Sequence, residues 1–405
     1  MRRVSAALLL TVALAAGAVL SGSLTGCDRA EPPETGTATG TAAEGAVGGD
    51  LTPEQRRELE RIATLGYIAG SEPVPSESGV VRHEGGTYDG LTLYSGSEES
   101  AAFLVDMDGN VVHSWRYPGF KSWGRVRLFE NGDLLVITED YPHLMKLDRD
   151  SRLLWEWNKA AHHDMEVQPD GSIAVLVSEE ATRPYICDGK PFLTDSIIIL
   201  GPGGKPLWRT PVLEAFERSE RFADWLDGRL EPGHTDPLHA NSIEVFIENG
   251  RRHALISIRN IDTIAVIDIE STEIVRTVTG PWHRQHEARF VESGRILLFD
   301  NLSNEVQSRV IEYDPDSEEI VWSYTEPGFL SKTEGAQQRL PNGNTLIVES
   351  DNGRLVEVTR DGHIVWEYIN PATTVVDGEE VILGIARAER LEPDFPTAWA
   401  HGEDR

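Results

Sequence analysis

The chain of 405 residues carries 67 Asp and Glu against 37 Lys and Arg, a formal charge of −30, with 10 Trp and only two Cys. That acidity argues against nucleic acid, whose phosphates demand clustered Lys and Arg, and two cysteines exclude a disulfide-rich scaffold. The length fits two or three ordinary domains or one large repeat-built domain, while short apolar runs broken by Gly, Asn-Gly and Asp-Gly speak against a helical repeat array.

The chain opens with Arg2-Arg3, an apolar run from Ala6 to Leu20, and Leu24-Thr25-Gly26-Cys27. A basic start followed by a short apolar core is a secretion signal, and the apolar run is short for a transmembrane span. Leu-Thr-Gly-Cys resembles the lipobox of bacterial lipoproteins, in which the Cys becomes the lipidated first residue. Residues 1–26 are thus expected to be a leader, and Cys27 the anchor of an exported chain on the cell membrane, facing the periplasm or the exterior. Without the leader the balance becomes 35 Lys and Arg against 67 acids, a charge of −32. Cys187 is then the one unmodified thiol and reads as a small core or loop residue.

Residues 27–50 are Ala, Gly, Thr, Glu and Pro with almost no large apolar side chain, the composition of a flexible tether. Thr52-Pro53-Glu54-Gln55 starts a helix, with a Thr cap, Pro at the first position and Gln three after the cap. It is expected to stop near Gly66, within a lead-in spanning 51–84.

From about residue 85 to 395 the sequence repeats. Arg125–Gly132, His286–Gly294 and Gly335–Gly343 each read as a short strand closed by a hairpin signal. An aliphatic second strand follows each (Leu134–Thr138, Ile296–Phe299, Thr345–Glu349), then a third, then a fourth ending in Trp. The terminal positions are Trp115, Trp157, Trp208, Val278, Trp322 and Trp366. Spacings of 42 (115 to 157) and 44 (322 to 366) match one four-stranded propeller blade. The fold class is therefore all-β, a six-bladed β-propeller. Its first unit, Leu91 to Trp115, supplies only three strands, and Ala386–Leu391 looks like an innermost strand without a blade. That C-terminal strand is expected to join the N-terminal blade and remove open sheet edges. Residues 396–405 read as a tail.

One excursion breaks the period. Leu213 to Asp227 is amphipathic at helical spacing, and the 29 residues of 210–238 are expected to form an inserted helical lid or loop. They lead directly into His239.

There are twelve His. His83, His113, His143, His253, His363 and His401 fall in loops or outer-strand positions and read as solvated or structural. His163 and His286 each stand eight residues before a hairpin Gly, a slot that Gly124 and Gly335 fill in two other blades. His162 adjoins His163 and competes with it for the role. His239 begins the fourth innermost strand. Residues that start innermost strands converge at one mouth of the channel, and Arg259, ending the antiparallel second strand, returns to that face beside His239. The pattern predicts a cationic, imidazole-rich mouth.

His239-Ala-Asn241-Ser242-Ile243, Ser257-Ile258-Arg259-Asn260, Gln285-His286-Glu-Ala-Arg289 and Phe299-Asp300-Asn301 resemble, in order, the signature segments of bacterial arylsulfotransferases, over roughly residues 85–395. The resemblance implies a six-bladed propeller that moves a sulfuryl group between phenols through a sulfohistidine, without a nucleotide donor. It implies His286 as nucleophile, with His239, Arg259 and His163 holding the sulfuryl oxygens and Asn241, Arg289 and Asn301 contacting substrate. Aryl sulfates and phenols are the expected small-molecule partners, with no metal and no other cofactor. His239 is also placed to exchange a proton with the aryl oxygen. Two alternatives stand beside this reading. A His-ligated metal centre is disfavoured by Arg259 next to the imidazoles, and a non-catalytic, membrane-tethered scaffold has no need of three His and an Arg at one mouth.

Overall fold

The computed structural model describes residues 77–97, 99–140, 142–220, 235–291, 294–304, 307–376 and 379–401, all of them in the compact unit Gly48–Arg405. The leader, Cys27, the tether and the helix expected at Thr52 lie outside the described residues.

Six antiparallel units, five of four strands and the last of five, follow one another as blades of a propeller. In the second blade Trp123–Leu128, Leu134–Thr138, His143–Leu147 and Leu153–Trp157 pair in sequence order. The third (Ala161–Val167, Ile173–Ala181, Phe192–Leu200, Pro206–Pro211), the fourth (Ala240–Glu248, Arg251–Ile258, Thr263–Asp268, Glu273–Thr279) and the fifth (His286–Phe290, Ile296–Asn304, Gln307–Asp314, Glu319–Tyr324) repeat the pattern. The second strands are nearly continuous Val, Ile and Leu because both their faces are covered, as the buried Leu134–Thr138 and Thr345–Glu349 show. In the first blade Ile385–Arg390 lies innermost beside Thr92–Gly96, from Thr92 opposite Arg390 to Gly96 opposite Ile385.

The sixth blade departs from expectation. Gly79–His83, part of the presumed lead-in, pairs with Ile364–Ile369 as a fifth, outer strand. The tail is also engaged: Trp399 is buried against Trp115 and His113, and a side chain at Gly132 would collide with its ring. His143 and His253 stand buried in a third and a second strand, not in loops or outer strands.

The recurring outer-strand ring has a clear task. Trp208 Nε1–H donates to Ile269 O at 2.9 Å, Trp322 Nε1–H to Arg360 O at 2.8 Å, and Trp366 Nε1–H to Met107 O at 3.0 Å. Each acceptor lies in the turn between the third and fourth strands of the next blade, and for Trp366 the next blade is the first. By strand register the matching residue is Trp155, opposite Lys146, rather than Trp157 in the second blade, and His113, opposite Leu104, rather than Trp115 in the first. His113 Nε2–H accordingly donates to Arg149 O at 2.8 Å. A bulge early in the outer strand recurs in every blade, so the interblade position keeps one register throughout.

The excursion enters the structure as a short helix, Val212–Glu217, whose Val212, Leu213, Ala215 and Phe216 are buried. Residues 221–234 of the expected lid lie outside the described residues.

Trp366 is fully buried at the seam between the last and first blades. Trp366→Phe keeps most of the apolar volume but orphans Met107 O, so it should cost about 1 kcal/mol. Trp366→Ala should cost roughly 3–5 kcal/mol. Chemical unfolding of both variants checks the order.

Candidate functional site

The residues that open the innermost strands of the third, fourth and fifth blades meet at one end of the channel. Each of these strands carries a bulge near its start, at residues 162–164, Ala240/Ser242 and His286/Arg289. His163 and His239 themselves sit at positive φ, 56° and 60°. Left-handed backbone is costly for a non-glycine residue and collects where a side chain must be re-aimed. Here it turns the two rings onto one another, with His163 Nε2 and His239 Nε2 2.9 Å apart. His162 points elsewhere, its Nε2 3.0 Å from Asp195 Oδ1.

His239 is held at both ends. Its Nδ1 lies 2.5 Å from Asp236 Oδ2, so Nδ1–H donates there and Nε2 is left facing His163. Its carbonyl accepts from the backbone N–H of Arg259 at 3.0 Å. Arg259 opens a 3-10 turn after the second strand, and its guanidinium donates to Asn260 Oδ1 at 2.9 Å. Asn260 Nδ2 in turn donates to Asp236 O at 2.7 Å. Asp236 thus orients the imidazole and braces the turn that carries the arginine.

His286 is almost fully buried. Its Nδ1–H donates to Asn301 Oδ1 at 2.7 Å and approaches Arg284 O at 3.1 Å. The Asn301 amide cannot be turned around, because its Nδ2 donates to Ser331 O at 2.8 Å and Glu334 O at 2.6 Å. The proton is therefore on Nδ1, and Nε2 carries the lone pair. Burial holds this imidazole well below its ordinary pKa, and Arg259 and Arg387 push the same way, with the bond from Asn301 opposing them. Burial does the same to His163, aided by the neighbouring imidazoles. Neutral rings are the result.

Three residues expected to touch substrate bond to protein groups, although Asn241 Oδ1 is buried without a hydrogen-bond partner. Asn301 positions His286. Asn241 Nδ2 donates to Gln285 O at 2.8 Å, tying the fourth blade to the residue before His286. Arg289 binds Asp164 Oδ2 at 2.6 Å, Glu287 Oε1 at 2.8 Å and Ile243 O at 3.0 Å. It belongs to a charged network filling the channel below the histidines. Arg125 joins that network through Asp164 Oδ1 at 2.7 Å and Glu287 Oε1 at 2.9 Å. Burial alone would raise the Glu287 carboxyl, yet Arg125, Arg289 and Arg387 together hold it below the usual carboxylate range.

A cleft of about 600 Å³ opens beside His163 and His239, with Phe120, Pro142 and Leu193 among its apolar walls. The expected cationic mouth is not its character. Glu99, Glu139, Asp140, Asp195 and Asp236 line it, against Lys121. The physical reason is that several of these acids have local duties: Asp236 orients His239, Asp195 meets His162, and Glu99 binds Arg116 Nη1 at 2.7 Å. The cations stand deeper, as Arg259 and the channel arginines. Among the described residues no group of three or more His, Cys, Asp or Glu is placed to hold a metal ion.

Sequence reasoning missed Asp236, Asp195, Glu139, Glu334 and Arg387. Asp236 lay three residues before His239, and Arg387 inside the C-terminal innermost strand, so position alone offered a signal for both.

The family described as Arylsulfotransferase (ASST) matches residues 125–371. No curated protein matches the chain. Among solved structures it is similar to a protein of unknown function from Bacteroides caccae, at 17% identity and a TM-score of 0.48, covering 69% of this chain and 93% of that one. It is also similar to the β-propeller domain of Myceliophteria thermophila Cps50 (Swd1), at 13% and 0.46, covering 78% and 98%. A functionally unknown protein from Desulfotomaculum acetoxidans matches at 10% and 0.44, covering 75% and 100%.

Replacing Asn301 by Ala would take the side-chain donor from Glu334 O, and would leave Ser331 O with Ser308 Oγ alone and the His286 Nδ1–H with Arg284 O alone. The cost should be roughly 3 kcal/mol on chemical unfolding. The protected ring N–H resonance of His286 should disappear from the NMR spectrum in the same variant.

Proposed function

The chain belongs to the arylsulfotransferase family, and from that premise we propose that it moves a sulfuryl group from a phenolic sulfate ester to a phenolic acceptor through a sulfohistidine at His286. No nucleotide donor takes part. The observation that carries this reading is the state of His286: buried, neutral, with Nδ1–H fixed on Asn301 and the Nε2 lone pair free to attack sulfur.

An SO3 group in flight spreads negative charge over its non-bridging oxygens, so fixed cations and N–H donors are its natural catalysts. Arg259 offers a planar fork that stays charged at any working pH. Asp236 stabilises whatever positive charge His239 takes on. Attack by His286 splits the transfer into two steps with ping-pong kinetics. A phenolate leaves readily, which favours aryl over alkyl esters. The apolar walls from Phe120, Pro142 and Leu193 suit an aromatic ring. With the leader and Cys27, the same proposal places the enzyme outside the cytoplasm on a lipid anchor.

His286→Asn should abolish release of nitrophenol from 4-nitrophenyl sulfate in the presence of an added phenol, and should show no sulfuryl adduct after exposure to donor, where intact-mass analysis of the wild-type chain should find one. Full activity in that variant would sink the sulfohistidine. Arg259→Lys should lower kcat/KM roughly 100-fold, because a point charge replaces the fork. Steady-state kinetics on the same donor measure it.

A further inference from the structure

Two of the slots that hold His163 and His286 elsewhere are glycines, Gly124 in the second blade and Gly335 in the sixth. The structure shows what uses the space. A Cβ on Gly124 would overlap the carboxyl group of Glu139, which follows the second strand of the same blade. A Cβ on Gly335, at φ 142°, would run into the Phe299 ring. Glu139 keeps its place through Ser122, whose Oγ–H donates to Glu139 Oε2 at 2.8 Å. It lines the cleft. Against it, from the start of the sixth blade, comes Glu334, 8% exposed, close enough for the two carboxyls to hydrogen-bond.

A carboxyl buried beside another carboxylate is hard to ionise, so Glu334 keeps its proton. Burial, and then Glu139, push Glu334 well above the usual carboxyl range, while Arg387 opposes and Asp351 adds to the rise. The pair is also mechanically joined to the nucleophile. Glu334 O accepts from Asn301 Nδ2, and Asn301 Oδ1 holds His286 Nδ1–H. His239, by contrast, has Nδ1 on Asp236 and Nε2 on His163.

On the sulfuryl-transfer reading above, on which this rests, the geometry points to Glu139 and Glu334 as the acid and base that exchange a proton with the aryl oxygen. In the first half-reaction the His286 Nε2 lone pair forms the N–S bond and the S–O bond to the aryl oxygen breaks. That oxygen keeps the electron pair and takes the proton that Glu334 holds. In the second, the acceptor's O–H proton returns to the carboxyl pair, its oxygen forms the new S–O bond, and the N–S electron pair goes back to Nε2. The imidazole ring gains positive charge as the pair loses its proton, and Arg387 stands beside the pair, so ionisation of both carboxyls is offset when it occurs. A carboxyl group held well above its usual range keeps its proton until a stronger base, the departing aryloxide, takes it.

The test compares kcat/KM of the full chain and its Glu334→Gln and Glu139→Gln variants on 4-nitrophenyl sulfate and phenyl sulfate. Nitrophenolate leaves with little help and phenolate does not. The loss in either variant should therefore grow with the basicity of the leaving group, reaching about 100-fold or more on phenyl sulfate. Equal losses on the two donors, or none, in variants that melt as the wild type does, would overturn the assignment while leaving sulfuryl transfer intact. A wild-type chain that transfers nothing overturns the sulfuryl-transfer reading, and this one with it.

Discussion

One fully buried carboxylate organises the middle of this protein. Asp164, next to His163 in the third blade, receives Arg125 of the second, Arg289 of the fifth and the backbone N–H of Ile243 in the fourth. Removing one partner from such a buried set leaves an uncompensated charge, at a cost of roughly 3–5 kcal/mol. With Glu287 bound to the same two arginines, the network meets the usual condition for burying charge, that every member be paired. It also fills the channel beneath the imidazoles with a stiff floor. The histidine rings can be aimed within fractions of an ångström only because the strands below them cannot slide.

Around that centre the site is built in pairs of orienting and oriented groups. Asp236 serves His239, Asn301 serves His286, and Gln285 is fastened to Ser257, Ile258 and Thr263 so that the residue after it is placed by the fourth blade as well as the fifth. Preorganised dipoles of this kind stabilise developing charge without reorganising during the reaction. The bulges and positive-φ residues at the strand starts are the backbone counterpart: strain tolerated where side chains must converge.

The sequence made the blades legible because each must bury two faces of a second strand and send an outer-strand ring to its neighbour, and both demands recur at a fixed spacing. The converging histidines were legible for the same reason, since a slot in the repeat maps to a place at the mouth. What spacing could not reveal were strand register and long-range closure. Trp155 and His113, not Trp157 and Trp115, occupy the interblade position, each two residues before the Trp that spacing selects. Gly79–His83 finds its partner nearly a whole chain away. Arg289 and Asn301 turn inward to protein groups, and no local pattern distinguishes that from turning toward a substrate. Glu139 and Glu334 meet only because the second and sixth blades flank the first.

The acidity of the chain then acquires a location. Its carboxylates extend into the cleft, yet the groups suited to an anion lie deeper, as Arg259, the imidazoles and Arg387. A sulfate ester is drawn past the acids only if its charged end is bound in the low-dielectric end of the cleft, where a fixed guanidinium interacts far more strongly than at the surface. The outer carboxylates would then repel a second anion on the far side of the same ring.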